Sequence, residues 1–299
     1  MSIFAGYPGR VYTSRDRVRE YLRVDSESSM EAENSMIDRT ILSVSETIER
    51  LTGRVFLPHI ATYNFDYESS REVHFFRDLL SVTTLTDSQG VVTSDEYTLY
   101  PLDAPNLVPP QPHRWLEMNE IARSLSYETT HRAAIEIAGK WGYSEITRQY
   151  GKILSADINT LVTTLTLTKD INVSPGTILL LDDEQIFVND ADDVLSPVVT
   201  RAVNGTTAAA HTAANSEVYT LHAPSPIEEA VCALVSRSLA RGRSGYSDLT
   251  GSQAEGANYF KSLPAEVSTI IKGYRDMELQ NFRVSRKEFW WNVSTNLPR

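Results

Sequence analysis

Apolar residues spaced three, four and seven apart between Ala32 and Leu51 predict one long amphipathic helix. Ala32, Met36, Ile37, Ile41, Val44, Ile48 and Leu51 fall on a single face. Ser28 precedes Glu31 by three residues, the spacing of a capping box, and Gly53 follows the last apolar position, where a left-handed cap is wanted. The chain then runs through Arg54 into an extended Phe56-Leu57-Pro58. One apolar face that stops this sharply and passes into a strand calls for a layered fold in which a sheet covers it.

Three further helices are expected. Ser14 to Arg23 is short, with Val18, Tyr21 and Leu22 on one side. Pro226 to Arg241 opens on Ser225 as cap with Glu228 completing a capping box, and Gly242 closes it. Pro264 to about Leu279 carries Val267, Ile270, Ile271, Tyr274 and Met277. Between the first and second pairs of helices the period changes to two, and strands are expected at 60–67, 72–76, 80–86, 96–100, 114–118 and 133–138. The fold class is therefore α+β, a helical core packed on a mainly antiparallel sheet.

Residues 151–220 differ. Thr160–Thr168, Thr177–Leu181, Gln185–Asn189, Val198–Val203 and Glu217–Leu221 read as five short strands, and Asn204-Gly205 is a turn signal. With 3 basic and 9 acidic residues, this stretch holds just over half of the chain's net charge of −11. It is expected to be a small all-β barrel or sandwich inserted into a discontinuous core formed by 1–150 and 221–299. Residues 242–262, rich in Gly, Ser and Tyr, read as a loop.

The charge balance argues against a module that grips DNA through its phosphates, since that grip needs an excess of Lys and Arg. It is compatible with a surface along which DNA slides. No stretch approaches the length of a membrane span, and Met1 to Arg10 lacks the apolar region of a signal peptide. The single cysteine, Cys232, rules out an internal disulfide and suits a reducing compartment.

A search for chemistry returns little. The histidines at 59, 74, 113, 131, 211 and 222 show no helical zinc spacing, and no P-loop, nucleophile elbow or dinucleotide fingerprint occurs. Cys232 reads as a small core residue. Asp182-Asp183-Glu184 lacks the spacing of a calcium loop and reads as a solvated hairpin turn. No catalytic, metal or cofactor residues are assigned. The C-terminal stretch 281–299 is different. From Lys272 onward 6 basic residues face 3 acidic ones, and Arg283, Arg286 and Lys287 are mixed with Phe282, Phe289, Trp290 and Trp291. Trp and Arg anchor protein–protein contacts, so this tail is read as a docking segment.

In this order, the elements resemble the head–tail connector (head-completion adaptor) family of long-tailed bacteriophages. The likeness rests on the short helix of Tyr12 to Leu22 and on the long helix ending Leu51-Thr52-Gly53-Arg54. It continues with Phe56-x-Pro58 and Tyr63-Asn64-Phe65-Asp66, then Leu79-Leu80-Ser81-Val82, Asp87-Ser88-Gln89-Gly90 and Tyr97-Thr98-Leu99-Tyr100. Ile135 to Ile137 before Gly139-Lys140-Trp141-Gly142-Tyr143, and Pro224 to Ala230, complete it. The β-segment departs from the family pattern, though Thr163-x-Leu165-x-Leu167, Asp183-Glu184-Gln185, Thr200 to Thr206 and His211 resemble β modules of other phage structural proteins.

The resemblance implies a non-enzymatic virion protein of the neck, assembled in the host cytoplasm as a ring of about a dozen copies. Its partners would be the portal on one side and a tail-completion or neck protein on the other, with packaged DNA passing through and no membrane or cofactor involved. Phe282, Arg283, Arg286, Lys287, Phe289, Trp290 and Trp291 would dock on the portal. Protomers would meet through the helices 31–52 and 226–241, with Arg39, Glu46, Arg50, Arg237 and Arg241 at the contact. The competing expectations are a carbohydrate- or surface-binding virion protein that uses the β-segment, and an enzyme whose site matches no motif.

Overall fold

A computed structural model describes residues 10–23, 31–107, 110–243, 249–250, 258–259 and 263–275. It is a mixed α+β structure of helices and two large antiparallel sheets. Helices α1 (Arg15–Leu22) and α2 (Glu31–Thr52) come first. Strands β1 (His59–Phe65), β2 (Glu72–Asp87), β3 (Gly90–Val92), β4 (Tyr97–Tyr100), β5 (His113–Met118) and β6 (Ile135–Trp141) form the first sheet, in the order β1-β6-β2-β5-β4 with β3 beside β2.

Strands β7 (Ile146–Gly151), β8 (Ile178–Leu181), β9 (Glu184–Asp190), β10 (Val198–Thr200) and β11 (Val218–His222) form the second sheet, in the order β10-β9-β8-β11-β7. Helix α3 (Ser225–Arg243), the short pair β12 (Leu249–Thr250) and β13 (Asn258–Tyr259), and α4 (Ala265–Tyr274) follow.

The first sheet bends along its longest strand. The two segments expected at 72–76 and 80–86 are one long strand, β2, whose register slips between His74 and Leu79 and again on either side of Val82. Such irregularities bend a strand. The first half of β2 pairs with β5 and the second with β6, so the sheet wraps its own core of Phe65, Phe75, Leu79, Leu116, Ile137 and Trp141. Among the described residues, none of the helices' side chains belongs to that core.

The helices pack instead on the second sheet, and this corrects the arrangement expected from the sequence. Ile37, Ile41 and Ile48 of α2 and Ile227, Val231 and Val235 of α3 share one core with Ile178 of β8, Phe187 of β9 and Leu221 of β11. Alternate residues of the same strands, Leu179, Leu181, Ile186 and Val188, point to the opposite face and pack with Leu154, Leu165, Leu167 and Val173. A sheet covered on both sides needs near-continuous apolar strands. The runs Ile178 to Leu181 and Ile186 to Val188 fit that demand.

Residues 151–220 thus carry one core of their own and supply Ile178, Phe187 and Val203 to the helical one. Their sheet starts with β7, which lies before them and which alternation alone did not reveal. Residues 160–168 are not a named strand but run beside 195–199 through bridges such as Thr164 with Val198. The two sheets meet where Ile60 donates to the Asn204 carbonyl (2.8 Å) and Gln185 Nε2 donates to the Pro58 carbonyl (2.9 Å). Gly205, at φ 78°, lies so close there that a Cβ would stand 2.2 Å from the Ile60 oxygen.

Helix ends follow local chemistry. Arg23 ends α1 in the left-handed conformation, and Gly53 (φ 76°) caps α2 by donating to the Glu49 carbonyl (2.7 Å). Helix α3 begins one residue earlier than expected, with Ser225 inside it and the Pro224 carbonyl accepting from Ile227 and Glu228. Glu228 faces Thr13 and Arg17 rather than closing a capping box. The expected cap at Ser28, the end of the last helix beyond Arg275 and most of 242–262 lie outside the described residues.

Candidate functional site

Among the described residues, two constellations of buried charge grow from stretches that stand out in the sequence. The first grows from Thr52-Gly53-Arg54-x-Phe56. Thr52 Oγ1 donates to the Ile48 carbonyl (2.7 Å), finishing α2, and Gly53 turns the chain so that Arg54 enters the interior. There Arg54 Nη1 meets Asp78 Oδ1 at 2.5 Å, its Nε donates to the Tyr274 carbonyl at the end of α4 (2.7 Å), and its guanidinium lies over the Tyr143 ring (5.2 Å). Arg114 reaches the same Asp78 oxygen at 2.6 Å.

Phe56, fully buried, meets the rings of Tyr12, Tyr274 and Tyr143 at 5.4, 5.5 and 5.8 Å. Tyr143 donates its backbone N–H to the Val55 carbonyl (2.8 Å). Burial, reinforced by the Glu49 carboxylate, pushes the Tyr12 phenol well above its ordinary range, so it stays a donor to Glu49 (2.5 Å) and accepts from the Phe56 N–H (3.2 Å). This is a structural weld between helices and first sheet. The cavity beside Arg54 and Asp78 holds only about 30 Å³.

The second lies on the turn between β8 and β9. Glu184, expected in a solvated turn, is buried. Arg201 holds it with two parallel bonds of 2.7 Å, the N–H groups of Ala202 and Ala209 donate to it, and His211 Nε2 lies 2.9 Å away. Burial pushes this carboxyl up, but the hydrogen bonds from Arg201, Ala209 and His211 together with the Arg201 charge outweigh it and bring the pKa to about 2. His211 Nδ1 faces Asp182 Oδ2 at 2.7 Å, and Ser216 donates to that oxygen (3.0 Å).

The network pins the 200–216 loop against the turn. In front of it a cleft of about 520 Å³ separates the sheets, edged by Ser81, Thr83, Lys140, Glu145, Asp183 and Thr206. Lys140 and Glu145 pair across it at 2.9 Å. Nothing in the sequence joins Glu184 to Arg201 and His211, because 17 and 27 residues separate partners that only the fold brings together.

The other residues singled out fall as follows. Arg39, Glu46 and Arg50 lie on the exposed stripe of α2 beside Met36 and Ser43. Arg237 and Arg241 are half-buried on α3, which α1, α2 and α4 surround. Phe282, Arg283, Arg286, Lys287, Phe289, Trp290 and Trp291 lie outside the described residues. Cys232 is buried, and burial pushes its thiol up to about 11. Burial lowers the pKa of His59 to about 4 and also lowers those of His113 and His222.

Among the described residues no group of three or more His, Cys, Asp or Glu is placed to hold a metal ion, and no helix is long and apolar enough to cross a membrane. No protein-family model matches the chain, and no curated protein matches it significantly.

Proposed function

We propose that this chain is a structural component of a bacteriophage neck, a head–tail connector whose copies form a ring between portal and tail. One observation carries the reading. The two most family-like stretches, Thr52-Gly53-Arg54-x-Phe56 and Gly139-Lys140-Trp141-Gly142-Tyr143, lie far apart in sequence yet meet at one junction, through Tyr143 N–H on Val55 and the Phe56–Tyr143 ring contact. Their resemblance to the family therefore has a common physical basis, the joining of the long helix to the sheet. The reading assigns no reaction to the chain and gives the exposed α2 stripe to the neighbouring copy.

Light scattering on the purified protein, alone and mixed with portal, tests it, with negative-stain images to count copies. A ring of about twelve is expected. A chain that stays monomeric at high concentration, at high salt and with portal present overturns it. Docking is assigned to Phe282 through Trp291. Replacing both Trp290 and Trp291 by Ala should weaken attachment to DNA-filled heads at least about thirtyfold, the loss expected of a hot-spot aromatic, with the melting temperature unchanged. A double variant that binds heads normally sinks the assignment.

A second reading, a carbohydrate-binding virion protein, is favoured by the hydroxyls of Ser81, Thr83 and Thr206 around the inter-sheet cleft. Screening the full chain against glycans tests it, and absence of any binding rejects it.

A further inference from the structure

The second sheet has one covered edge and one open edge. Along β10, Val199 donates to the Thr163 carbonyl (2.7 Å), Leu165 to that of Pro197 (3.0 Å) and Leu167 to that of Leu195 (2.8 Å), so residues 163–167 cover that side. On the other side β7 pairs with β11 alone among the described residues. It is 6 residues long, and its Thr147, Arg148 and Gln149 are exposed. A bare edge of this length offers a row of backbone donors and acceptors to an extended chain.

The side chains of this edge differ from the rest of an acidic molecule. Arg148, Lys152 and Lys169 are exposed and make no ion pair among the described residues. The Arg148 guanidinium lies over the Tyr150 ring (5.3 Å), and the bond from the Thr168 N–H to the Ile153 carbonyl (2.8 Å) brings Lys169 beside the end of the strand. The nearby carboxylates are engaged locally. Lys140 holds Glu145, Gln149 and Tyr219 donate to Glu217, and Asp170 accepts from the Asn172 N–H. The face of β7 that carries Arg148 and Tyr150 borders a cleft of about 680 Å³, with Ile171, Val173 and Val194 as its apolar part. Across it, Asp16, Glu20 and Glu228 belong to α1 and α3, where Arg19 and Arg17 pair with them.

When an extended segment adds to a sheet, main-chain bonds supply the affinity and pockets for alternate side chains supply the specificity. The edge of β7 provides the first and the cleft beside it the second. We propose that β7 is the docking edge for an extended, acidic segment of a partner protein, which joins the five-stranded second sheet as a further strand. Its backbone pairs with the outward groups of β7, its carboxylates meet Arg148, Lys152 and Lys169, and an apolar side chain between them enters the cleft. The inference goes beyond the ring reading and does not depend on it.

Calorimetric titration of the full chain with three capped peptides tests it. One alternates Glu and Val, one alternates Lys and Val, and the third is the Glu–Val peptide N-methylated on successive residues, which blocks both of its edges. Only the first should bind. Arg148→Glu combined with Lys169→Glu should weaken that binding at least about tenfold, since two attractive charges become repulsive. Both positions are exposed, so an unchanged melting temperature is expected and should be measured. Equal binding of the N-methylated peptide overturns strand addition, and equal binding of the Lys–Val peptide overturns the acidic partner. A folded double variant that binds as well as the wild type overturns the role of the cations. A wild-type chain that binds none of the three overturns the inference outright and leaves the cations as guards of the edge against aggregation.

Discussion

Asp78 accepts from two guanidiniums at one oxygen, Arg54 from the turn after α2 and Arg114 from β5. Breaking a buried charge pair by removing one partner costs about 3–5 kcal/mol, because the remaining charge loses its compensation. Asp78→Ala should fall in that range in urea titrations. Arg54→Lys keeps the charge but not the fork that reaches Asp78 and Tyr274 together, and should cost about half as much. Among the groups that shape the pH profile, His59 and Glu184 are shifted furthest among the histidines and carboxylates.

His59 has a folded pKa near 4 against 6.5 for the free side chain, so between these values the unfolded chain binds the extra proton. Stability should therefore fall as pH drops from 6.5 to 4, and His59→Gln should flatten that part of the curve. Glu184 has a folded pKa near 2 against 4.5. Its contribution, on the order of 3 kcal/mol, is present above 4.5 and lost as pH falls towards 2. A Glu184→Gln variant with an unaltered acid transition would contradict this assignment.

At the scale of elements, the second sheet serves two cores at once, and excision tests that directly. Replacing 154–219 by a short linker removes Ile178, Phe187 and Val203 from the helical core. At about 1.5–3 kcal/mol for each buried side chain, the loss is comparable to the whole stability of an ordinary domain. The truncated chain should show no cooperative melt. The sequence reading pointed the other way because caps, turns and period changes report where elements begin and end, not which faces they share. The extent of α1, the end of α2 at Gly53 and most strands of the first sheet were legible from such local signals, while β3 and the continuity of β2 were not. The pairing of α2 with β8 was not, since a run such as Ile178 to Leu181 has two apolar faces and nothing local says what covers either. Strand β7 escaped for the opposite reason. Its Thr147, Arg148 and Gln149 are exposed at a sheet edge, so it lacks the alternation that marks a half-buried strand. Glu184 looked like a surface turn because its partners, Arg201 and His211, arrive only with the loop after β10.

For the molecule as a whole, charge opposes assembly. In the proposed ring a dozen copies, each at −11, would bring −132 charges together, and salt screens such repulsion beyond about 8–10 Å. Ring formation should therefore strengthen between low and moderate salt, measured by sedimentation. A ring that falls apart as salt rises would show that attraction between charges holds it. The helical core has a further consequence for how the protein is made. It unites Val11, Tyr12 and α2 with α3, and about 170 residues separate Thr52 from Ser225. At roughly 5–20 residues per second of synthesis, the apolar face of α2 leaves the ribosome some 10–35 seconds before the helix that covers it. During that interval the nascent chain carries an uncovered greasy stripe, so a chaperone that shields it, or slow passage through the codons of 53–224, should set the yield of soluble protein more than the stability of the finished fold.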